Sequence, residues 1–343
     1  MSISKIAVYG AGSWGITLSR LLHENGFRVK IWEYSPEVVQ EILAIREHSK
    51  VLPGVTLDDE ILVTNDIAEA TEDVDMVLVV VPSHTVRQTL EMAKPYIPQD
   101  RIITIASKGI ETTTLKRMSE VVSEVLGNSD RICTFYGPSH AEEVSRRIPT
   151  VIVAASSNHQ VAKEVQNTFM VHYMRVYTNP DVIGVELGGS LKNIIAIAAG
   201  GVDGLGYGDN TKGALLARGL MEMMRLGVKM GAEQSTFMGI SGLGDLVTTC
   251  MSKHSRNRYV GECLGRGMKL PEILANLTMV AEGVNTTKAG YLLAQKYEVD
   301  LPITNEVYKA LYEDKDARQV IRDLMTREAK PEFDSHKEIY NTG

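Results

Sequence analysis

Cysteine is scarce in this chain, with Cys133, Cys250 and Cys263 the only three. Their number is odd and their spacing fits neither a metal site nor a redox pair, so a disulfide framework is excluded and reduced, packing thiols are expected. Long apolar runs are missing as well. No stretch reaches the roughly 18 residues of a bilayer span, and the longest candidate, near Ile194 to Ala199, falls far short, so no membrane span is expected. Positive charge is in deficit, since 36 Lys and Arg against 43 Asp and Glu leave a net −7. General attraction to a nucleic-acid backbone is thereby lost, and a small anionic substrate would need a local basic pocket. Met1 to Lys5 run into the first strand pattern without a charged and apolar leader, and a cytoplasmic location is expected.

What is present describes a globular enzyme-sized chain: 343 residues suit two domains, which leave a cleft between them. Its most informative segment is Gly10-Ala11-Gly12-Ser13-Trp14-Gly15, set between an apolar strand pattern, Lys5 to Tyr9, and a helical pattern, Ser13 to Asn25. The first glycine permits a tight turn, the second lets backbone approach a pyrophosphate, and the third lets helix and strand pack closely. A second strand pattern, Arg28 to Trp32, ends at Glu33 and Tyr34. That position is close to the roughly 20-residue offset of an acid that binds the adenosine ribose.

Further β-branched runs alternate with helical patterns at Ile61 to Val63, Met76 to Val81, Arg101 to Ile105, Ile132 to Phe135, Val151 to Ala154 and Met174 to Tyr177. Alternation of this kind predicts an α/β fold, an N-terminal Rossmann-like, doubly wound and mostly parallel sheet. After Asn179-Pro180 the strand patterns stop, and helices are expected at Pro180 to Ala199, Thr211 to Met230, Leu243 to Met251, Arg256 to Arg266, Thr286 to Tyr297 and Ile303 to Tyr312. An all-α C-terminal domain follows from this. The expected division is 1–187 for dinucleotide binding, 188–330 for the helical substrate domain, and 331–343 as a loose tail.

Loops after three strand patterns, Pro82-Ser83-His84, Ser107-Lys108-Gly109 and Gly137-Pro138-Ser139-His140, share the sheet edge of the glycine turn and are the natural substrate-facing loops. Lys192 stands in an otherwise apolar helical stretch. Either it is buried and its lowered pKa suits proton transfer, with Gly188 and Gly189 leaving room for another group to approach, or it snorkels to the surface. Asp245, after Gly242-Leu243-Gly244, is a turn residue or orients a catalytic lysine. Ser255 reads as a helix N-cap, and Arg256 adds a guanidinium fork suited to phosphate, unless the segment is only a solvated helix start. His84 and His140 have no carboxylate at motif spacing and read as cap or loop residues.

Together these segments resemble the NAD(P)-dependent sn-glycerol-3-phosphate dehydrogenase family of bacterial type over nearly the whole chain. The carriers include the glycine turn, Ser107-Lys108-Gly109, Gly137-Pro138-Ser139, Gly188-Gly189-Ser190-Leu191-Lys192-Asn193, Gly242-Leu243-Gly244-Asp245, Ser255-Arg256-Asn257-Arg258 and Glu282-Gly283. The resemblance implies reduction of dihydroxyacetone phosphate to sn-glycerol 3-phosphate with NAD or NADP, in supply of glycerophospholipids, with no metal and as a homodimer. It implies that Lys192 is the general acid and base. Lys108, Gly137, Ser139, Asp245, Ser255, Arg256 and Asn257 would hold substrate, with Arg256 and Asn257 at its phosphate. Ser13, Trp14, Lys108, Ala141, Arg256, Val280 and Glu282 would hold cofactor beside Gly10, Gly12 and Gly15. One departure matters: many bacterial members carry Arg or His where this chain has Glu33-Tyr34. A carboxylate there accepts from a ribose hydroxyl and repels a 2′-phosphate, so NAD is expected to be preferred.

Overall fold

A computed structural model describes residues 3–127, 129–329 and 331–332. Its strands are β1 (Lys5–Tyr9), β2 (Arg28–Trp32), β3 (Leu62–Thr64), β4 (Met76–Val79), β5 (Ile102–Ile105), β6 (Ile132–Tyr136), β7 (Thr150–Ala155) and β8 (Met174–Asn179). They lie side by side in the order β3-β2-β1-β4-β5-β6-β7-β8, and every neighbouring pair is parallel except β6 and β7. Helices α1 (Ser13–Glu24), α2 (Pro36–Ile45), α3 (Ile67–Thr71), α4 (Val86–Ala93), α5 (Met118–Leu126), α6 (Ala141–Val144) and α7 (His159–Phe169) connect them. The central strands β4, β5 and β6 are buried along their whole length because both faces are covered. Along β1, Ile6 and Val8 join one core while Ala7 and Tyr9 join the other, as the two-residue period of a strand requires. The strand order reverses between β1 and β4, which opens a crevice beyond their C-terminal ends.

The second region holds α8 (Val182–Gly204), α9 (Asp209–Lys229), α10 (Gln234–Phe237), a π-helical turn at Ile240–Gly244, α11 (Asp245–Met251), α12 (Arg256–Gly265), α13 (Leu270–Ala275), α14 (Glu282–Lys296), α15 (Pro302–Tyr312) and α16 (Ala317–Met325). By length and composition alone α8 could cross a bilayer, which no single apolar run in the sequence had indicated. Its small residues escape a count of long side chains, and 83% of its apolar window is buried inside the protein. Other helices wrap it, and α12 crosses it backbone to backbone. A Cβ placed on Gly200 would lie 1.8 Å from the Arg258 carbonyl oxygen, and one on Gly261 would lie 1.8 Å from that of Ile197. Only glycine fits either position.

The line expected at 187/188 falls inside α8, which runs through it without a break. Regular structure changes earlier, between Asn179 and Val182, because the Asp181 carboxylate caps α8 there by accepting from Gly184 N. The cores change later. Val182 and Val185 pack with Tyr136 and Val153 of the sheet, whereas Leu187 and Leu191 belong to the helical core. A buried Glu186 carboxylate ties the same turn to α5, accepting from Ser119 N at 2.7 Å, Ser119 Oγ at 2.6 Å and Arg117 Nη1 at 2.6 Å. The first turns of α8 are therefore seated on the sheet domain. Of the expected loose tail, only residues 331–332 are described, and the Glu332 carbonyl accepts from Arg218; residues 333–343 lie outside the described residues.

Candidate active site

The glycine turn leaves β1 with Gly10 at φ +112°, a conformation that side chains rarely adopt. Gly15 sits so close to the turn that a Cβ would meet the Gly10 carbonyl oxygen at 2.0 Å. Around Gly12, by contrast, an added Cβ would find nothing within 4 Å, so the backbone is open where a phosphate must approach. The 12-residue α1 starts there with no side chain capping it. Its free N–H groups and dipole suit a pyrophosphate, and these residues fit a dinucleotide. Two side chains hold the turn from opposite sides. Glu33 accepts from Ala11 N at 2.9 Å and from Ser35 N at 3.1 Å, and the buried His48 Nδ1 donates to the Ala11 carbonyl at 2.9 Å. Glu33 retains lone pairs for a ribose hydroxyl. Tyr34 lies exposed beside it, edge-on to Trp32.

A cleft of about 990 Å³ extends from this turn to the helical region. Its size, at the upper end for a ligand site, leaves room for a dinucleotide and a small substrate together. Lys192 forms part of its wall and is 5% exposed, which settles burial over snorkelling. Its Nζ donates to Asp245 Oδ1 at 2.5 Å and to Thr249 Oγ1 at 2.6 Å. Asp245 Oδ2 accepts from Lys108 Nζ at 2.8 Å, and Lys108 also donates to the Gly137 carbonyl at 2.7 Å and to Ser139 Oγ at 3.2 Å. One carboxylate thus serves two ammonium groups, one from each region. Burial pushes the Lys192 pKa down to about 8, with Asp245 opposing and Lys108 reinforcing the shift. Burial also works against the Asp245 charge, but the two ammonium groups outweigh it and hold that carboxyl below its usual range. The space expected beside Lys192 is already filled. Cβ atoms at Gly188 and Gly189 would each lie 2.7 Å from a neighbour, the Ser241 carbonyl and the Tyr136 ring respectively, so these glycines admit protein rather than ligand.

At the far end, Ser255 caps α12 by accepting from Arg258 N. Arg256 is exposed to the cleft, and its Nη1 donates to the Val280 carbonyl at 2.8 Å, leaving other donors of the fork free. Asn257 is buried and committed elsewhere: Nδ2 donates to Asn193 Oδ1 at 2.9 Å and Oδ1 accepts from Gly283 N at 2.8 Å. It braces α12 against α8 and α14. Glu282, the first residue of α14, accepts from Ser83 N at 2.9 Å and from Ser83 Oγ at 2.5 Å, joining the two regions across the cleft. Ala141 is buried at the start of α6, and Val280 is exposed on the rim.

Residues 5–162 match the family described as NAD-dependent glycerol-3-phosphate dehydrogenase N-terminus, and residues 181–322 match its C-terminus. The chain belongs to the NAD-dependent glycerol-3-phosphate dehydrogenase family. A protein named glycerol-3-phosphate dehydrogenase (NAD(P)+) from Chlorobium phaeobacteroides is 51% identical over 331 residues, 96% of this chain and 99% of that one. One of the same name from Citrifermentans bemidjiense is 51% identical over 330 residues, 96% of this chain and 98% of its own length. The crystal structure of glycerol-3-phosphate dehydrogenase from Coxiella burnetii superposes with a TM-score of 0.91 at 37% identity, covering 95% of this chain and 99% of that one.

Within this family member, Gly10, Gly12, Ser13, Trp14, Glu33, Tyr34, Lys108, Ser139, Lys192, Asp245, Ser255, Arg256, Asn257, Val280 and Glu282 share one cleft. Gly15, Gly137 and Ala141 stand behind its walls, Gly137 through the carbonyl that receives Lys108. His84 is exposed and outside the cleft, whereas His140 lines it. His48 and His254 were not marked by the sequence, and Ser83 and His140 were placed on substrate-facing loops without a role of their own. Each meets its neighbours through contacts distant in the chain, a relation that no local pattern displays.

Proposed function

We propose that this chain interconverts dihydroxyacetone phosphate and sn-glycerol 3-phosphate, with Lys192 as proton donor and acceptor. The observation that carries the reading is the buried Lys108–Asp245–Lys192 chain, placed between the glycine turn and Arg256. A nicotinamide dinucleotide seated on the glycine turn supplies the hydride. Lys192 gives its proton to the carbonyl oxygen in the reducing direction and takes it back from the hydroxyl in the other. Two ammonium groups against one carboxylate leave an excess positive charge, which stabilises the oxygen as negative charge develops on it. Lys108, held by the Gly137 carbonyl and Ser139, orients Asp245 and adds to that field. The free donors of Arg256 anchor the phosphate, so the reacting carbon is positioned by a group remote from the chemistry.

Glu33 supports a preference for NAD(H). Its carboxylate is fixed by Ala11 N where the adenosine ribose is read, and a 2′-phosphate there would meet a like charge. The test is loss of absorbance at 340 nm with dihydroxyacetone phosphate and either reduced cofactor. The expected result is turnover with both and higher kcat/KM for NADH. A flat trace with both overturns the activity, and higher kcat/KM for NADPH overturns the preference.

Three further readings belong to the same proposal. The chain divides near 187–188 within α8, supported by Val182 and Val185 packing on the sheet and Leu187 and Leu191 joining the helical core. It acts in the cytoplasm in supply of glycerophospholipids, a location supported by three buried, unpaired thiols. It works as a homodimer, as the resemblance implies; light scattering coupled to size exclusion reads the mass directly.

A further inference from the structure

Few side chains serve the phosphate end of the cleft. Arg256 gives Nη1 to the Val280 carbonyl, and Asn257, matched by resemblance to a phosphate position, is held by giving one amide N–H to Asn193 and accepting from Gly283 N. A phosphoryl group carries three acceptor oxygens, which Arg256 alone does not satisfy. On the opposite wall His140 follows β6 and Ser139, and its Nε2 is shielded from solvent with no hydrogen-bond partner among the described residues. Buried polar atoms are partnered as a rule, and an orphan inside a ligand cleft marks a place where the missing partner is ligand. The His140 ring lies 5.8 Å from that of His254, which stands just ahead of Ser255 and Arg256 on the phosphate side.

We infer that His140 donates from Nε2 to the phosphoryl group of the substrate and so sets the preference for a phosphorylated ketone over its unphosphorylated counterpart. The inference rests on the activity proposed above. Charges around the ring fit a neutral donor: burial and Lys192 on α8 lower its pKa, while Glu142 and Glu143 on α6 and Asp245 on α11 oppose them. With the ring uncharged, Nε2–H donates without adding a cation beside Lys192. The His254 ring, tilted against that of His140, borders the same end of the cleft.

The experiment compares kcat/KM for dihydroxyacetone phosphate with kcat/KM for dihydroxyacetone in wild type, His140→Ala and His140→Gln. In His140→Ala the ratio is expected to fall roughly 10- to 100-fold, the scale of one hydrogen bond to a charged group, with the loss in KM rather than kcat. His140→Gln, which keeps an N–H donor, is expected to recover a substantial part of it. A ratio unchanged in both variants, or equal losses on both substrates, overturns the inference. Wild-type enzyme inactive on the phosphate ester would instead overturn the proposed activity, so the two failures are distinguishable.

Discussion

Lys192 shows how one side chain's surroundings fix its chemistry. Removing its ammonium leaves Asp245 bound to Lys108, so Lys192→Ala keeps the second ion pair and the glycine turn. Turnover is expected to fall at least about 100-fold, the usual scale of general acid catalysis, while NADH binding, read by fluorescence titration, stays near wild type. In the intact enzyme the amine must carry its proton to reduce the ketone. Since its pKa is pushed down to about 8, kcat for reduction should fall as pH rises through that value, and kcat for oxidation should rise. A reduction rate flat from pH 7 to pH 9 would remove Lys192 as donor. This residue was legible because a lone charge in an apolar helix stands out. The close approach at Gly188 and Gly189 was legible for a related reason, although sequence shows only that side chains are missing and not that Ser241 and Tyr136 are the groups that fill the space. The duties of Asn257 and His140 were hidden, since one depends on α8 and α14 and the other on an unpaired ring nitrogen.

Between elements, the decisive contact is the glycine crossing of α8 and α12. In an exposed helix Gly→Ala would gain about 1 kcal/mol from propensity. At Gly261 the new methyl would lie 1.8 Å from the Ile197 carbonyl oxygen, an overlap that only separation of the helices relieves. Overpacking costs about 1–3 kcal/mol or more and outweighs propensity. Gly261→Ala is therefore expected to lower Tm by several degrees, and to raise KM for dihydroxyacetone phosphate more than KM for NADH, because Arg256 and Asn257 ride on α12. A Tm at or above wild type would show that the helices separate freely. Long, periodic elements were the readable ones: the eight strands, the helix after the glycine turn and the six helices expected after Asn179 all occur, β1 and β2 at the expected bounds and the others with shifted ends. The short α10 and α13 and the exposed, nine-residue α16 were missed, because four to nine residues display too little of a helical period.

Across the whole molecule, three buried or half-buried ties join the sheet region to the helices: Lys108 to Asp245 and Ser83 to Glu282 across the cleft, and Arg117 with Ser119 to Glu186 behind it. The two-domain plan was legible from the point where strand patterns stop, but the seam was not, because α8 is seated in both cores. Hinge bending at 180–181 would have to pull the Glu186 carboxylate off α5 or part α8 from α12. Small-angle X-ray scattering is accordingly expected to give the same radius of gyration with and without NADH, and a compaction beyond error would show that the lobes do swing. Rooting α8 in the nucleotide-binding half carries a kinetic corollary. The proton source and the hydride seat are bolted to a single chassis, so their spacing survives each catalytic cycle, and traffic of reactants falls to the rim around Val280.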